Sequence, residues 1–301
     1  MREMDAKVKT FFKYATILLP DKMVIKWKYK ALNGHFLDLD NPKTYNEKLH
    51  WLNLNNHDPQ LTTLVDKLRV RPFVSERIGE EHLVPLIGHW DSVEEIPFDT
   101  LPDQYVLKCN HDSGSVVICR DKSTFDVEAA KLKLKRCLKR NYYYHSREWA
   151  YKNVKPCIVC EELIATSDGK APKDYKIFCC DGVPQMFFVA SDRGENTKFD
   201  FYSMDGSRIP VAQHYPNSGN PFDPPRKFGE MVKCAEKLSA GFPQVRVDFY
   251  EDMDGNVLFG EMTFIHFSGM HDFKPDEYNL KFGSIINLNS VNIIRGGGGT
   301  E

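Results

Sequence analysis

The sequence predicts an α+β fold in which mainly antiparallel sheets carry helices on their faces. Three observations lead there. In the second half, apolar β-rich runs flank the turn signals Asp181-Gly182 and Asp254-Gly255, and short turns of that kind join antiparallel neighbours. Between those hairpins Phe228, Met231, Val232, Ala235 and Leu238 recur at helical spacing. Hydrophobic residues make up 42% of the 301 residues and aromatics 12%, enough for a sizeable core.

Charge and cysteine usage narrow the classes. Lys plus Arg is 40 and Asp plus Glu is 42, a net charge of −2, which argues against nucleic-acid binding by bulk charge. No apolar run approaches the roughly 20 residues a membrane helix needs. The stretch 14–20 is too short, Lys22 follows it, and no small-residue cleavage site is present, so no secretory signal is read. The eight cysteines do not suit a disulfide framework in a chain of this size. Cys157-x-x-Cys160, with Cys179-Cys180 downstream, has the spacing of half a zinc site, but no second pair completes it. Buried free thiols in a cytoplasmic protein are expected.

The elements follow in order. Residues 1–40 form a basic, aromatic segment, with Lys7, Lys9, Lys13, Lys22, Lys26, Lys28 and Lys30 among Phe11, Phe12, Tyr14, Trp27 and Tyr29. It reads as one or two helices packed on the body; a surface for a membrane or an anionic glycan is the alternative. Residues 41–52 read as a helix capped by Thr44 or Asn46, with Tyr45, Leu49 and Leu52 on one face. Asp66 caps the next helix, in which Pro72 limits regularity. Residues 83–88 and 104–109 are short buried strands, and Asp126 caps a helix to Arg140. Strands follow at 158–164, 175–180 and 183–189, then the helix from 228, then strands at 245–250 and 257–264. The glycine run 296–299 marks a disordered tail. The chain divides into 1–40, a lobe at 41–104, a small lobe at 105–165, a large lobe at 166–290 and a tail at 291–301.

The last hairpin makes a geometric claim. A two-residue turn at Asp254-Gly255 sets Met253 opposite Asn256 and, counting back, Asp248 opposite Glu261 and Arg246 opposite Thr263. Opposed side chains stand about 4.5–5.5 Å apart. Two carboxylates so placed want a cation, and magnesium, held by one or two carboxylates plus phosphates, suits them. Arg246 on the same face can hold a phosphate oxygen. Upstream, a strand delivers Lys108 into the polar loop Asn110-His-Asp-Ser-Gly-Ser115, a place for backbone N–H groups to meet phosphates, although no Walker motif is present. The apolar strand ending in Glu161, Glu162, Leu163 and Ile164 can read an adenine edge through its backbone.

Those three elements, in that order, resemble the ATP-grasp superfamily, and within it the TupA-like branch of teichuronopeptide and cell-surface polysaccharide biosynthesis. Branch-like segments are Asn41-Pro-Lys-Thr-Tyr-Asn-Glu-Lys-Leu-His-Trp51, Asp66-Lys67 with Val70-Arg71, Arg147-Glu-Trp149, Asp174-Tyr-Lys176 and Phe259-Gly-Glu-Met-Thr-Phe264. The resemblance spans about residues 18–288. It implies two α+β lobes that sandwich ATP. It also implies phosphate contacts from Lys67 and Lys108, a flap at Asn110, Ser113, Gly114 and Ser115, and an adenine hinge at Glu161, Glu162, Leu163 and Ile164. Asp174 or Lys176 would contact ribose or phosphate, Arg246 would hold the transferred phosphoryl group, and Asp248 and Glu261 would bind Mg2+. Thr263 joins that metal set where many relatives have asparagine, its hydroxyl being a poorer ligand than an amide carbonyl.

The implied reaction is ligation: ATP phosphorylates a carboxylate, and an amine displaces the phosphate. The expected partners are a glycan or sugar acceptor and a small amine or hydroxyl co-substrate, with peripheral association at the inner membrane face. The first alternative is a kinase acting on a sugar hydroxyl, with His111, His266 or His271 as base. A glycosyltransferase and a non-catalytic scaffold rank below it, Asp252-x-Asp254 falling in a hairpin turn. The polar, Pro-rich stretch from 191–198 to 224–226 reads as an acceptor loop or an ordinary connection.

Overall fold

The structure, a computed structural model, describes residues 16–166, 169, 171–191 and 197–290. The predicted disordered tail, the residues 1–15 of the basic segment and the middle of the polar stretch after Ser191 lie outside the described residues. Among the described residues no helix is long and apolar enough to cross a membrane.

The basic segment contributes helix α1 (Asp21–Asn33), which buries Val24, Ile25 and Tyr29 and leaves Lys22, Trp27 and Lys30 exposed. It is therefore amphipathic and packed on the body. Helix α2 (Tyr45–Asn55) opens with a reciprocal cap: the Thr44 hydroxyl accepts from the Glu47 N–H, and the Glu47 carboxylate accepts from the Thr44 N–H. The short helix α3 (Pro59–Val65), capped by Asp58, was not legible in the sequence. Asp66 accepts from the N–H groups of Leu68 and Arg69, so it caps the turn that leads into α4 (Arg71–Ile78) rather than the helix itself.

Two sheets follow. Strands β1 (Leu86–Trp90), β2 (Tyr105–Cys109), β3 (Val117–Cys119) and β4 (Ile158–Glu162) pair in the order β1-β4-β2-β3, all antiparallel. Helix α5 (Val127–Leu138), capped by Asp126, packs Leu134 and Cys137 into a core with Leu107, Ile158 and Cys160. Strands β5 (Asp174–Cys180), β6 (Val183–Ser191), β7 (Lys198–Ser203), β8 (Arg208–Ile209), β9 (Val245–Glu251) and β10 (Val257–Thr263) form the larger antiparallel sheet, in the order β10-β9-β5-β6-β7-β8. Helix α6 (Phe228–Ser239) buries Met231, Cys234, Ala235 and Leu238 against it. Burying the Met and Leu side chains contributes roughly 1.5–3 kcal/mol each before entropy is counted. Helix α7 (Glu277–Ile285) closes the described chain beside α2, where Gly283 lies against the Lys43 carbonyl too closely for any Cβ.

Packing cuts across the segments read from sequence. Strand β1 joins the small sheet, whereas α2, α3 and α4 bury Tyr45, Leu49, Leu64 and Val74 in the core of the large one. The stretch read as an acceptor loop or connection contains β7 and β8, with Phe199 and Phe201 buried and Asp200 held by Arg208 and Ser218. All eight cysteines are buried free thiols, and burial pushes the Cys157 and Cys160 thiols up to about 12.

The last hairpin departs from its predicted turn. Strands β9 and β10 are joined through 252–256, with the Gly255 N–H donating to the Asp252 carbonyl, so Val257 faces Glu251. That is one residue off the predicted register. A bulge at Gly260 restores it, and Asp248 faces Glu261 and Arg246 faces Thr263 as predicted.

Candidate active site

Four elements bring charged side chains to one cleft between the sheets. Lys67 enters from the turn after α3, Lys108 from β2, Lys176 from β5 and Glu261 from β10; with the flap after β2 and the end of β4 they line a cavity of about 380 Å³. One wall is apolar, built from Val84, Val106, Ile118, Leu163, Ile164 and Phe259. Such a wall suits a planar base, and the lysines at the other end suit phosphates.

Of the residues singled out from sequence, Lys67, Lys108, Ser113, Gly114, Ser115, Glu161, Glu162, Leu163, Ile164, Asp174, Lys176 and Glu261 all line this cavity. Leu163 and Ile164 make no backbone hydrogen bond among the described residues, whereas the Glu162 N–H is taken by the Pro85 carbonyl. A hinge reading through the backbone would therefore rest on 163–164. The Glu161 side chain is engaged by two cations, pairing with Lys108 and, at 3.3 Å, with Arg71. Asn110 does not line the cavity. Its carboxamide accepts from the Cys157 N–H at 2.8 Å and donates to the Lys155 carbonyl at 3.0 Å, which pins the base of the flap. Within the flap the Ser115 hydroxyl donates to Asp112, and the Lys67 ammonium donates to the Asp112 carbonyl at 2.6 Å.

Arg246 and Thr263 line a second cavity of about 470 Å³, which shares Ser113, Lys176 and Glu261 with the first. Arg246 is nearly buried and fully engaged. Its Nε and Nη2 donate to the two Asp248 oxygens at 2.6 and 2.7 Å, and Nη2 also reaches Glu261 Oε1 and Thr263 Oγ1, both at 3.0 Å. Its Nη1 meets His266 Nδ1 at 2.6 Å, while His266 Nε2 meets Gln213 Oε1 at 2.8 Å. Burial first, then the Arg246 and Lys176 charges, hold the His266 pKa well below the usual imidazole value. A neutral ring that accepts at Nδ1 and donates at Nε2 fits both contacts. His266 thus braces Arg246 and leaves no nitrogen for a substrate. His111 is likewise occupied, between the Arg140 carbonyl and Asn110; only His271 of the three histidines lines a cavity.

Asp248 lines neither cavity. It is fully buried, with both oxygens held by Arg246 and one also by Lys176, which pairs with Asp174 at 2.8 Å as well. Glu261 is partly exposed, and among the described residues only its Oε1 is hydrogen-bonded. Burial works against the Glu261 charge, but Lys67, Lys176 and Arg246 hold its pKa down at about 2. Asp248, Glu261 and the Thr263 hydroxyl are hard oxygen donors of the kind magnesium takes. Among the described residues no three His, Cys, Asp or Glu side chains gather to hold a metal by themselves. A magnesium ion here therefore fits as one bound jointly by Glu261 and nucleotide phosphates, with Asp248 available once its cations turn to those phosphates.

Sequence reasoning missed much of the second cavity: Tyr142, Glu148, Tyr151, Tyr215, Phe267 and Ser268. The one local signal was Arg147-Glu-Trp149, to which no role attached.

Among curated proteins none matches the sequence significantly. Solved structures give distant likenesses. The ATP-grasp ligase PsnB with its minimal precursor shares 9% identity, with 69% of this chain and 55% of that one covered and a TM-score of 0.35. For the D-alanine–D-alanine ligase of Bacillus anthracis the values are 18%, 68%, 58% and 0.36. For the L-amino acid ligase of Bacillus licheniformis they are 16%, 74%, 49% and 0.40. The chain spans between half and three-fifths of the length of PsnB and the Bacillus anthracis ligase. The profile of the TupA-like ATPgrasp family matches residues 47–287, which hold both sheets and both cavities. With most of its length in that match, the chain belongs to the TupA-like ATP-grasp family.

Proposed function

We propose that the chain is an ATP- and magnesium-dependent ligase that phosphorylates a carboxylate and joins the resulting acylphosphate to an amine, in the assembly of a cell-surface polysaccharide. The reading is supported above all by one observation: the two cavities meet at Lys176 and Glu261, with Arg246 and Thr263 on the far side of the junction. A nucleotide with its base against Leu163 and Ile164 would direct its terminal phosphate toward that junction. Lys67, Lys108 and Lys176 would neutralise the phosphates, and Arg246 would orient the transferred group. Glu261, Asp248 and the Thr263 hydroxyl would hold Mg2+, which when bound supplies charge neutralisation for phosphoryl transfer. The second cavity would hold the carboxylate and the amine. A cytoplasmic enzyme that docks at the inner membrane face fits the exposed Lys22, Trp27 and Phe36, which with the half-buried Lys26 border a surface recess.

The test is ADP release by the full chain with ATP, Mg2+ and a uronic acid, with and without a primary amine, against neutral sugars. Release that needs the carboxylate and rises with the amine supports ligation. Release with a neutral sugar alone overturns it in favour of a hydroxyl kinase, for which His271 in the second cavity would be the base.

A further inference from the structure

Beyond the phosphate end, the second cavity holds a carboxylate that the ligase reading does not use. Glu148 is 5% exposed yet lines the cavity. The Ser268 hydroxyl donates to its Oε1 at 2.9 Å, and among the described residues no Lys or Arg forms an ion pair with it. A buried carboxylate without a cation is costly, so its retention needs a reason. Its backbone is fixed from both sides. The Arg147 carbonyl accepts from the Asn53 side chain at 2.7 Å, and the Trp149 N–H donates to the same carboxamide at 2.8 Å. Arg147 itself takes a left-handed conformation, φ 62°, and is anchored to Asp21 at 3.0 Å. Phe267 and Ser268, which also line the cavity, are left-handed too, with φ 49° and 53°. Strain of this kind persists where the surroundings over-determine the geometry. Here it places the Phe267 ring and the Ser268 hydroxyl on the cavity wall, the hydroxyl beside Glu148 and Tyr142.

We propose that this end of the cavity is the amine subsite, and that Glu148 binds the acceptor's ammonium group and takes its proton. The inference rests on the ligase reading and names its second substrate: a primary amine carried on an apolar frame that the Tyr142, Tyr151 and Phe267 side chains can pack against. An ammonium supplies the missing counter-ion, and the Tyr142, Tyr151 and Phe267 faces favour a cation and its aliphatic frame. The step balances as follows. The ammonium gives one proton to Glu148, the freed nitrogen attacks the acylphosphate carbonyl carbon, the C–N bond forms, and the C–O bond to phosphorus breaks. Inorganic phosphate leaves with the bonding pair, and the second amine proton passes to it or to solvent. Burial raises the Glu148 pKa to about 7; the Ser268 and Ser146 hydroxyls and Arg246 lower it, and Glu261 raises it. A carboxylate so poised accepts a proton near neutral pH far better than an ordinary one. Tyr142 and Tyr151, raised by burial and by Glu148, stay neutral and do not compete.

The test uses the full chain with ATP, Mg2+ and glucuronate. Hydroxylamine, already neutral at pH 7, traps the acylphosphate as hydroxamate without a base; glucosamine, an ammonium, needs one. Wild type should give hydroxamate with the first and amide with the second, and Glu148→Gln should lower the ratio of amide to hydroxamate about 100-fold. Ser268→Ala should keep amide formation and move the acid limb of its pH profile upward. Absence of hydroxamate from wild type overturns the ligase reading itself. Hydroxamate without glucosamine amide in wild type, or an unchanged ratio in Glu148→Gln, overturns the amine subsite while leaving that reading in place.

Discussion

Asp248 and Glu261 stand opposite each other on β9 and β10, although the two strands leave their turn one residue out of that register. Gly260 supplies the difference. A Cβ on Gly260 would lie 3.0 Å from Tyr250 Cε2 and 3.1 Å from the Asp248 carbonyl oxygen. One of those contacts is backbone and can yield only by moving Asp248.

Gly260→Ala is therefore expected to cost about 1–3 kcal/mol of stability, the usual range for overpacking. It should also weaken Mg2+-dependent nucleotide binding, because the displaced atoms belong to Asp248. Chemical denaturation and nucleotide titration on the same variant check both. Wild-type values in each would mean that the bulge tolerates a side chain and that the pairing does not depend on it.

The two carboxylates should fail in different ways when removed. Asp248→Ala leaves Arg246 and Lys176 buried without their shared counter-ion, a loss of about 3–5 kcal/mol in comparable buried pairs. Glu261→Ala removes a partly exposed group, so its stability loss should be clearly the smaller of the two, yet it should abolish the gain in ATP affinity on adding Mg2+. Unfolding curves and ATP titrations with and without EDTA separate the two. Equal stability losses would contradict the different settings of these side chains.

The sequence made this pairing legible by a cancellation. The turn was read too short and the bulge was not seen, and the two errors offset each other at Asp248 and Glu261. Lys108 and the β4 terminus were legible because each lies on a short apolar strand flanked by polar residues, whereas Lys67, in a turn, and Lys176 were placed by the family resemblance alone. Asn110 was misjudged because a polar loop after Lys108 looks alike whether its amide faces a phosphate or the Cys157 and Lys155 backbone. β7 was lost among turn-forming residues, its alternation of Phe199 and Phe201 too brief to stand out. Glu148 lay in the branch-like segment Arg147-Glu-Trp149, but nothing local gave it a role: its setting comes from Asn53 and Ser268, far away in the chain.

Arg246→Lys tests the fork at the junction. The guanidinium holds Asp248 through two nitrogens while also meeting Glu261, Thr263 and His266. A lysine keeps the charge but not the planar geometry. Turnover should fall about 10²–10³-fold, the range for losing one preorganised donor, with a smaller change in nucleotide affinity. In wild type the His266 ring should stay neutral at mildly acidic pH, since burial and the two cations oppose its protonation. Imidazole chemical shifts across that range report it, and a normal titration would break the assigned tautomer.

Glu148 also leaves a mark on stability that is independent of turnover. Burial raises its pKa from 4.5 to about 7. Between those values the folded protein keeps a proton that the unfolded chain has released. By linkage, stability then falls as pH rises through this window and levels off above it. Glu261 acts in the opposite sense and elsewhere: its pKa is lowered to about 2, so its contribution is lost as pH drops below 4.5. Glutamine at 148 mimics the protonated carboxyl at every pH. Glu148→Gln should therefore be more stable than wild type at pH 8 by on the order of 1–3 kcal/mol, with the gain vanishing near pH 5. Denaturant midpoints of both proteins at the two pH values decide it. Parallel curves would mean that the carboxylate is already ionised in the folded state and has a counter-charge in the native cavity.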